Sequence, residues 1–120
     1  MTLEECYAAL GGDYAEVMGR LRSEKLVQKF VLKFLDDPSY DLLQRSWAAQ
    51  DYDEAFRAAH TIKGVCQNLG FTLLYRSSAA LCEALRSGFH PEAPALAETV
   101  AADYAQTTDA IRAFRDAAGL

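Results

Sequence analysis

Helix punctuation constrains the fold of this chain more than any other feature. Apolar residues recur at helical intervals in one segment after another, and most segments close on a glycine or a proline. Thr2, with Glu5 three residues on, gives a capping-box pattern for a short helix through Leu10, which Gly11-Gly12 ends. Asp13 caps a second short helix, from Tyr14 to about Leu21. Ser23 opens a stronger one, in which Leu26, Phe30, Val31, Phe34 and Leu35 mark a buried face. Pro38 breaks it at Asp36-Asp37, because the residue before a proline is pushed out of helical geometry. Helix resumes through Leu42, Leu43, Ser46 and Trp47, so residues 23–49 read as one kinked arm or as two consecutive helices.

Asp51 then caps a long helix, with Glu54 at its third position, and Gly70 ends it. Thr72 begins the next, which buries Leu74, Leu81 and Leu85 and stops at Ser87-Gly88. A loop holding Pro91 and Pro94 leads to a last helix, Ala95 to about Ala117, with Leu96, Val100, Tyr104, Ile111 and Phe114 as apolar contributors. Short connections between long amphipathic helices favour antiparallel neighbours. The expected fold is all-α: an antiparallel up-down four-helix bundle over 23–120, with additional short N-terminal helices forming a cap over 1–22, one domain in all.

A chain of 120 residues, 51% hydrophobic and 24% charged, can build one core without disulfide or metal staples. Its net charge of -5 leaves no basic stripe to neutralise phosphates, which argues against nucleic acid. No apolar run approaches the ~20 residues of a membrane span. Glu4 and Glu5 stand where a secretory signal would be basic and then apolar. Cys6, Cys66 and Cys82 are odd in number, which suits reduced thiols. The expectation is a cytoplasmic protein with no membrane association, and monomeric, since a complete bundle can stand alone.

The chemistry is concentrated in Ala58-Ala59-His60-Thr61-Ile62-Lys63-Gly64-Val65-Cys66-Gln67-Asn68-Leu69-Gly70. At ~100° per residue, Ala55, Ala58, Ile62, Val65, Cys66 and Leu69 gather on one side of the helix. His60 points almost directly opposite, flanked by Phe56, Arg57, Lys63, Gly64 and Gln67. An imidazole turned to solvent is a nucleophile near neutral pH, because an ordinary pKa of ~6.5 leaves most of it unprotonated. Lys63, one turn on, repels a second positive charge and is available to pair with phosphoryl oxygens. Gly64 removes a side chain beside the ring, at a cost of ~1 kcal/mol relative to alanine in mid-helix. Gln67, two turns on, is in position to hydrogen-bond a phosphoryl oxygen or a bridging water. Phe56 reads equally as a docking aromatic or as a contact with a neighbouring helix.

Metal chemistry is not expected, because His60 and Cys66 lie on different helix faces and zinc pairs on helices use spacings of three or four. Ser78 and Cys82, on the following helix, read as small packing residues that border the imidazole at most. His90, in the proline-containing loop, reads as exposed and idle.

His60-Thr61-Ile62-Lys63-Gly64, preceded by Ala55-Phe56-Arg57-Ala58-Ala59 and followed by Leu69-Gly70, resembles the histidine-containing phosphotransfer (HPt) domain of bacterial phosphorelays. The apolar helix before Pro38 and the following helix ending in Ala84-Leu85-Arg86 match that layout, so the resemblance covers roughly 23–117. It differs from the sensor-kinase pattern, in which an acidic residue and a proline usually follow the histidine. No glycine-rich nucleotide-binding segment is present.

The resemblance implies a phosphocarrier and not an enzyme. His60 would accept a phosphoryl group from the aspartate of a receiver domain, in a response regulator or hybrid histidine kinase, and pass it to another. The receiver would supply Mg2+, and this chain would hold no cofactor. Alternatives are an HPt-like adaptor that binds receivers without transfer, or an unrelated all-α interaction module. A pure adaptor needs neither His60 nor Lys63, which weighs against it.

Overall fold

A computed structural model describes all residues, 1–120, in an all-helical fold. Seven α-helices follow in order: α1 Leu3–Leu10, α2 Tyr14–Leu21, α3 Glu24–Lys33, α4 Ser39–Ala48, α5 Tyr52–Leu69, α6 Thr72–Leu85 and α7 Ala93–Ala117. Four of them start as their capping residues dictate. The side chains of Thr2, Asp13, Ser23 and Asp51 accept the backbone N–H three residues on, and Thr2 and Glu5 form a complete capping box.

Helices α4 to α7 form an antiparallel bundle in which each helix packs on its sequence neighbour. Its centre is α5, whose buried residues are Ala55, Ala58, Ala59, Ile62, Cys66 and Leu69. Three alanines in the first half of that stripe let α4 and α6 come close, since interaxial distance follows side-chain size. Between α4 and α7 the bundle closes on Tyr40, stacked on Tyr104 with ring centroids 3.9 Å apart.

The last helix has 25 residues against 18 in α5. At a rise of ~1.5 Å per residue it runs on by roughly a further 10 Å, and α1 and α3 also pack on it. The Cys6 thiol donates to the carbonyl of Ala110 at 3.6 Å, and Gln106 Nε2 donates to that of Ala9 at 3.0 Å. Leu3, Cys6, Tyr7, Leu10 and Val17 join the same hydrophobic core as α4 to α7, so the N-terminal helices share that core.

The N-terminal segment also finishes α5, whose last carbonyls have no partner within the helix. Tyr7 Oη donates to Leu69 O at 2.6 Å, and the Asp13 N–H donates to Gly70 O at 2.8 Å. Arg20 Nη1 donates to the carbonyls of Gln67 and Asn68. Gly70 turns the chain at φ 69°, and the Phe71 N–H returns to Cys66 O at 3.0 Å. Gly12 permits this closeness, because a Cβ there would stand 2.7 Å from Gly70 O.

Of the two readings of the arm over 23–49, the structure takes the second: two helices, joined by a 3-10 turn at Phe34–Asp36 and by Pro38. Two features differ from the sequence reading. The last helix starts two residues early, at Ala93, because a proline in the first turn has no N–H to lose from the helical ladder. Val65 is only half-buried and Ala59 fully buried, so the apolar stripe of α5 is turned slightly toward α6.

Candidate functional site

His60 sits near the middle of α5 with its side chain exposed, over a backing of buried Ala58, Ala59 and Ile62. Helix register alone produces this contrast, since residues one and two positions away turn through ~100° and ~200° into the bundle. One turn earlier, the half-buried Phe56 ring stands 6.2 Å from the imidazole centroid at 60°, an edge-on arrangement. The imidazole is therefore steered from one flank and open outward.

Lys63, one turn later, is half-buried. It and Arg86, from the end of α6, both bring positive charge to the buried thiol of Cys82. Burial pushes that thiol up from its usual range, and the two cations pull it the other way. Lys63 therefore stands on the side of α5 that faces α6. Arg86 has its guanidinium carbon 5.5 Å from the centre of the Phe56 ring and pairs with Glu83 at 3.0 Å. Phe56 is held between Arg86 and His60 and, as a positioning contact, links α6 to the site.

Gly64 faces open space, for a Cβ there would meet nothing within 4 Å. No element of this chain fills the place that the missing side chain leaves. Gln67 is exposed, and its carbonyl is held by Arg20 at 3.2 Å, leaving the side-chain amide free of intramolecular bonds. Arg57 is exposed but occupied on its own helix, with Asp53 at 2.9 Å and Glu54 at 3.1 Å. Of the residues marked in the sequence, His60, Phe56, Lys63, Gly64 and Gln67 share one solvent-facing strip, and Arg57 borders it.

Ser78 Oγ donates to Leu74 O at 2.7 Å, inside the bundle, and does not reach the imidazole. His90 is exposed but not idle, since its Nδ1 accepts the Glu92 N–H at 3.1 Å and shapes the turn into α7.

Arg86 and Phe89 are the residues that the sequence reading passed over. Phe89 is 52% exposed and stands 5.1 Å from Tyr52, which in turn meets Trp47 at 5.4 Å. Their signal was topological. In an antiparallel pair the last turn of α6 must lie beside the first half of α5, where Phe56 and His60 are.

No helix is long and apolar enough to cross a membrane. The family model described as Hpt domain matches residues 26–117. No curated protein and no solved structure matches the chain.

Proposed function

The chain belongs to the Hpt-domain family, whose members serve histidine phosphotransfer in phosphorelays, and from that premise we propose that His60 is the phosphoryl-carrying residue. The observation that carries the proposal is the exposed imidazole on a fully backed helix, with Lys63 one turn on and no side chain at Gly64. The partners are receiver domains, which bring the aspartyl phosphate and its Mg2+.

The step is an in-line displacement at phosphorus. The unprotonated ring nitrogen of His60 forms the N–P bond while the P–O bond of the aspartyl phosphate breaks, and the electron pair returns to the aspartate carboxylate. The reverse step at a second receiver restores the free imidazole. Chemistry of this kind depends on positioning and charge neutralisation more than on acid–base machinery. Phe56 limits the ring's swing on one side, and the ~1.5 Å rise per residue places Lys63 one turn along the helix, within reach of phosphoryl oxygens. Arg86, braced on Phe56, adds a second positive charge from α6. Gln67 supplies an uncharged donor two turns from the ring.

The test is incubation of the full chain with a receiver domain labelled at its aspartate, in the presence of Mg2+. Acid-labile, base-stable label should appear on the wild type and be absent from His60→Gln. Label surviving in that variant moves the site elsewhere. A receiver that binds tightly without any transfer of label would make the chain an adaptor.

A further inference from the structure

A cavity of about 300 Å³ opens where the end of α5 and the start of α6, joined through Gly70, meet α2. Glu16, Gln67, Thr72, Tyr75 and Arg76 line it. Its size falls at the small end of cavities that hold small-molecule ligands, but such cavities are mostly apolar and this lining is polar. The chain does not use these groups itself. The bonds at Gln67 and Tyr75 run to their backbone carbonyls, and the side chains of Gln67, Thr72, Tyr75 and Arg76 have no hydrogen-bond partner within the chain.

Arg76 is also unusual among the arginines. Arg20, Arg45, Arg57, Arg86, Arg112 and Arg115 each pair with an acid within four residues. Arg22 and Arg76 do not, and no acidic residue occurs between Glu54 and Glu83 to answer Arg76 locally. Glu16 is the acid in the cavity wall, and one of its oxygens is already bonded to Arg20 at 2.8 Å. The free charge at the cavity is therefore positive. A guanidinium, two hydroxyls and an amide make a donor set that suits the several oxygens of a phosphate group. The second oxygen of Glu16 is left to accept from a hydroxyl.

We propose that this cavity binds a small hydroxyl-bearing phosphate monoester, its phosphate on Arg76, Thr72 and Tyr75 and a hydroxyl on Glu16. The site is separate from the imidazole but shares Gln67 with its strip. Seven residues turn a helix through ~700°, so Gln67 points within ~20° of His60 and lies ~10.5 Å along the axis. An occupant that engages the Gln67 amide withdraws it from that strip. On the phosphocarrier reading of His60, the ligand then slows transfer; its binding does not depend on that reading.

The probe is glycerol 3-phosphate, titrated into the isotope-labelled full chain while backbone and side-chain amide shifts are followed. Saturable shifts should centre on Gln67, Thr72, Tyr75 and Arg76, with a dissociation constant of about 1 mM or tighter. Arg76→Gln should weaken binding about tenfold or more, and Tyr75→Phe about threefold or more. Arg76 is exposed and unpaired, so its variant should melt like the wild type. Arg22→Gln removes the same charge outside the cavity and should leave affinity within about twofold at 0.15 M salt. Inorganic phosphate should bind more weakly than the ester, and glycerol should give no shifts at these residues.

Shifts that grow without saturating, shifts centred elsewhere, or equal losses in Arg22→Gln and Arg76→Gln would overturn the site. Inorganic phosphate binding as tightly as the ester would overturn the assignment of a monoester, since Glu16 would then read no hydroxyl. Transfer from a labelled receiver to His60 should slow at saturating glycerol 3-phosphate in the wild type and not respond to it in Arg76→Gln. Saturable binding with unchanged transfer would overturn the effect on His60. Absence of transfer even without the ligand would count against the phosphocarrier reading and leave the titration standing.

Discussion

Replacing Gly64 with alanine separates what the fold needs from what the site needs. A mid-helix glycine costs about 0.8–1.0 kcal/mol relative to alanine, through the backbone entropy lost on folding. The new Cβ at Gly64 would meet nothing within 4 Å, so no packing penalty offsets that gain. Gly64→Ala should therefore stabilise the protein by ~1 kcal/mol, a rise in melting temperature of roughly 3 to 5 °C for a chain of this length. The same methyl group stands beside the face on which a partner must meet the imidazole. A displacement of ~1 Å at a reacting centre can cost up to ~100-fold, and we expect phosphoryl transfer to His60 to slow by about tenfold or more.

Gly19 supplies a matched control, since it is exposed, sits within α2 and would also place its Cβ in open space. Gly19→Ala should raise the melting temperature by a similar or slightly smaller amount and leave transfer unchanged. Gly12→Ala should do the opposite, because its Cβ would lie 2.7 Å from Gly70 O and 2.8 Å from Leu10 and Tyr7. Overpacking of that kind costs about 1–3 kcal/mol. Thermal melts and single-turnover transfer from a labelled receiver read both quantities. If Gly64→Ala failed to stabilise while Gly19→Ala did, α5 would need glycine for its own sake. If it stabilised and transfer were unchanged, access to the ring would not be the reason for Gly64.

Tyr7→Phe strands the buried carbonyl of Leu69, and a loss of about 1–2 kcal/mol is expected from urea unfolding; a change within 0.3 kcal/mol, taken as roughly the additivity error, would mean that water replaces the hydroxyl. Arg20→Ala removes a charged donor from the last carbonyls of α5 and the pair with Glu16 at 2.8 Å. With a partly exposed side chain the cost should be near 1 kcal/mol, and wild-type stability in that variant would remove Arg20 from the end of α5. All three cysteines are free and buried, so iodoacetamide at neutral pH should label them slowly in the native protein and fully in urea, as read by intact mass; rapid native labelling of any one would contradict its burial. Burial holds the Cys6 thiol up at about 11, above the ~8.5 of a free thiol. The unfolded chain therefore loses its proton first, and stability should fall as pH climbs between those values. A flat melting profile across that interval would refute the assignment.

Much of the fold was legible in the chain because its signals are local. Thr2, Asp13, Ser23 and Asp51 bond to backbone N–H groups three residues away, and Gly11 and Gly70 take up left-handed backbone, so each boundary is set within one turn of chain. Where the reading slipped, the information lay elsewhere. The start of α7 depends on His90 accepting a turn N–H and on Pro94 tolerating the first turn. Val65 packs on the edge of the core and is left half-buried in a groove, because α2 and α3 stand off from that flank of α5, a distance that no periodicity encodes.

The candidate site divides in the same way. Outward placement of His60, with Lys63, Gly64 and Gln67 on its strip, follows from the 3.6-residue period alone. What only packing decided is the company the ring keeps, Phe56 edge-on to it and Arg86 braced over Phe56, and the apolar groove left open farther around α5. Helix register is a property of consecutive residues, so the amino-acid order was enough to aim the imidazole. Neighbours from α2, α3 and α6 arrive only when separate helices bury their apolar faces together, and that choice of partners belongs to the folded chain.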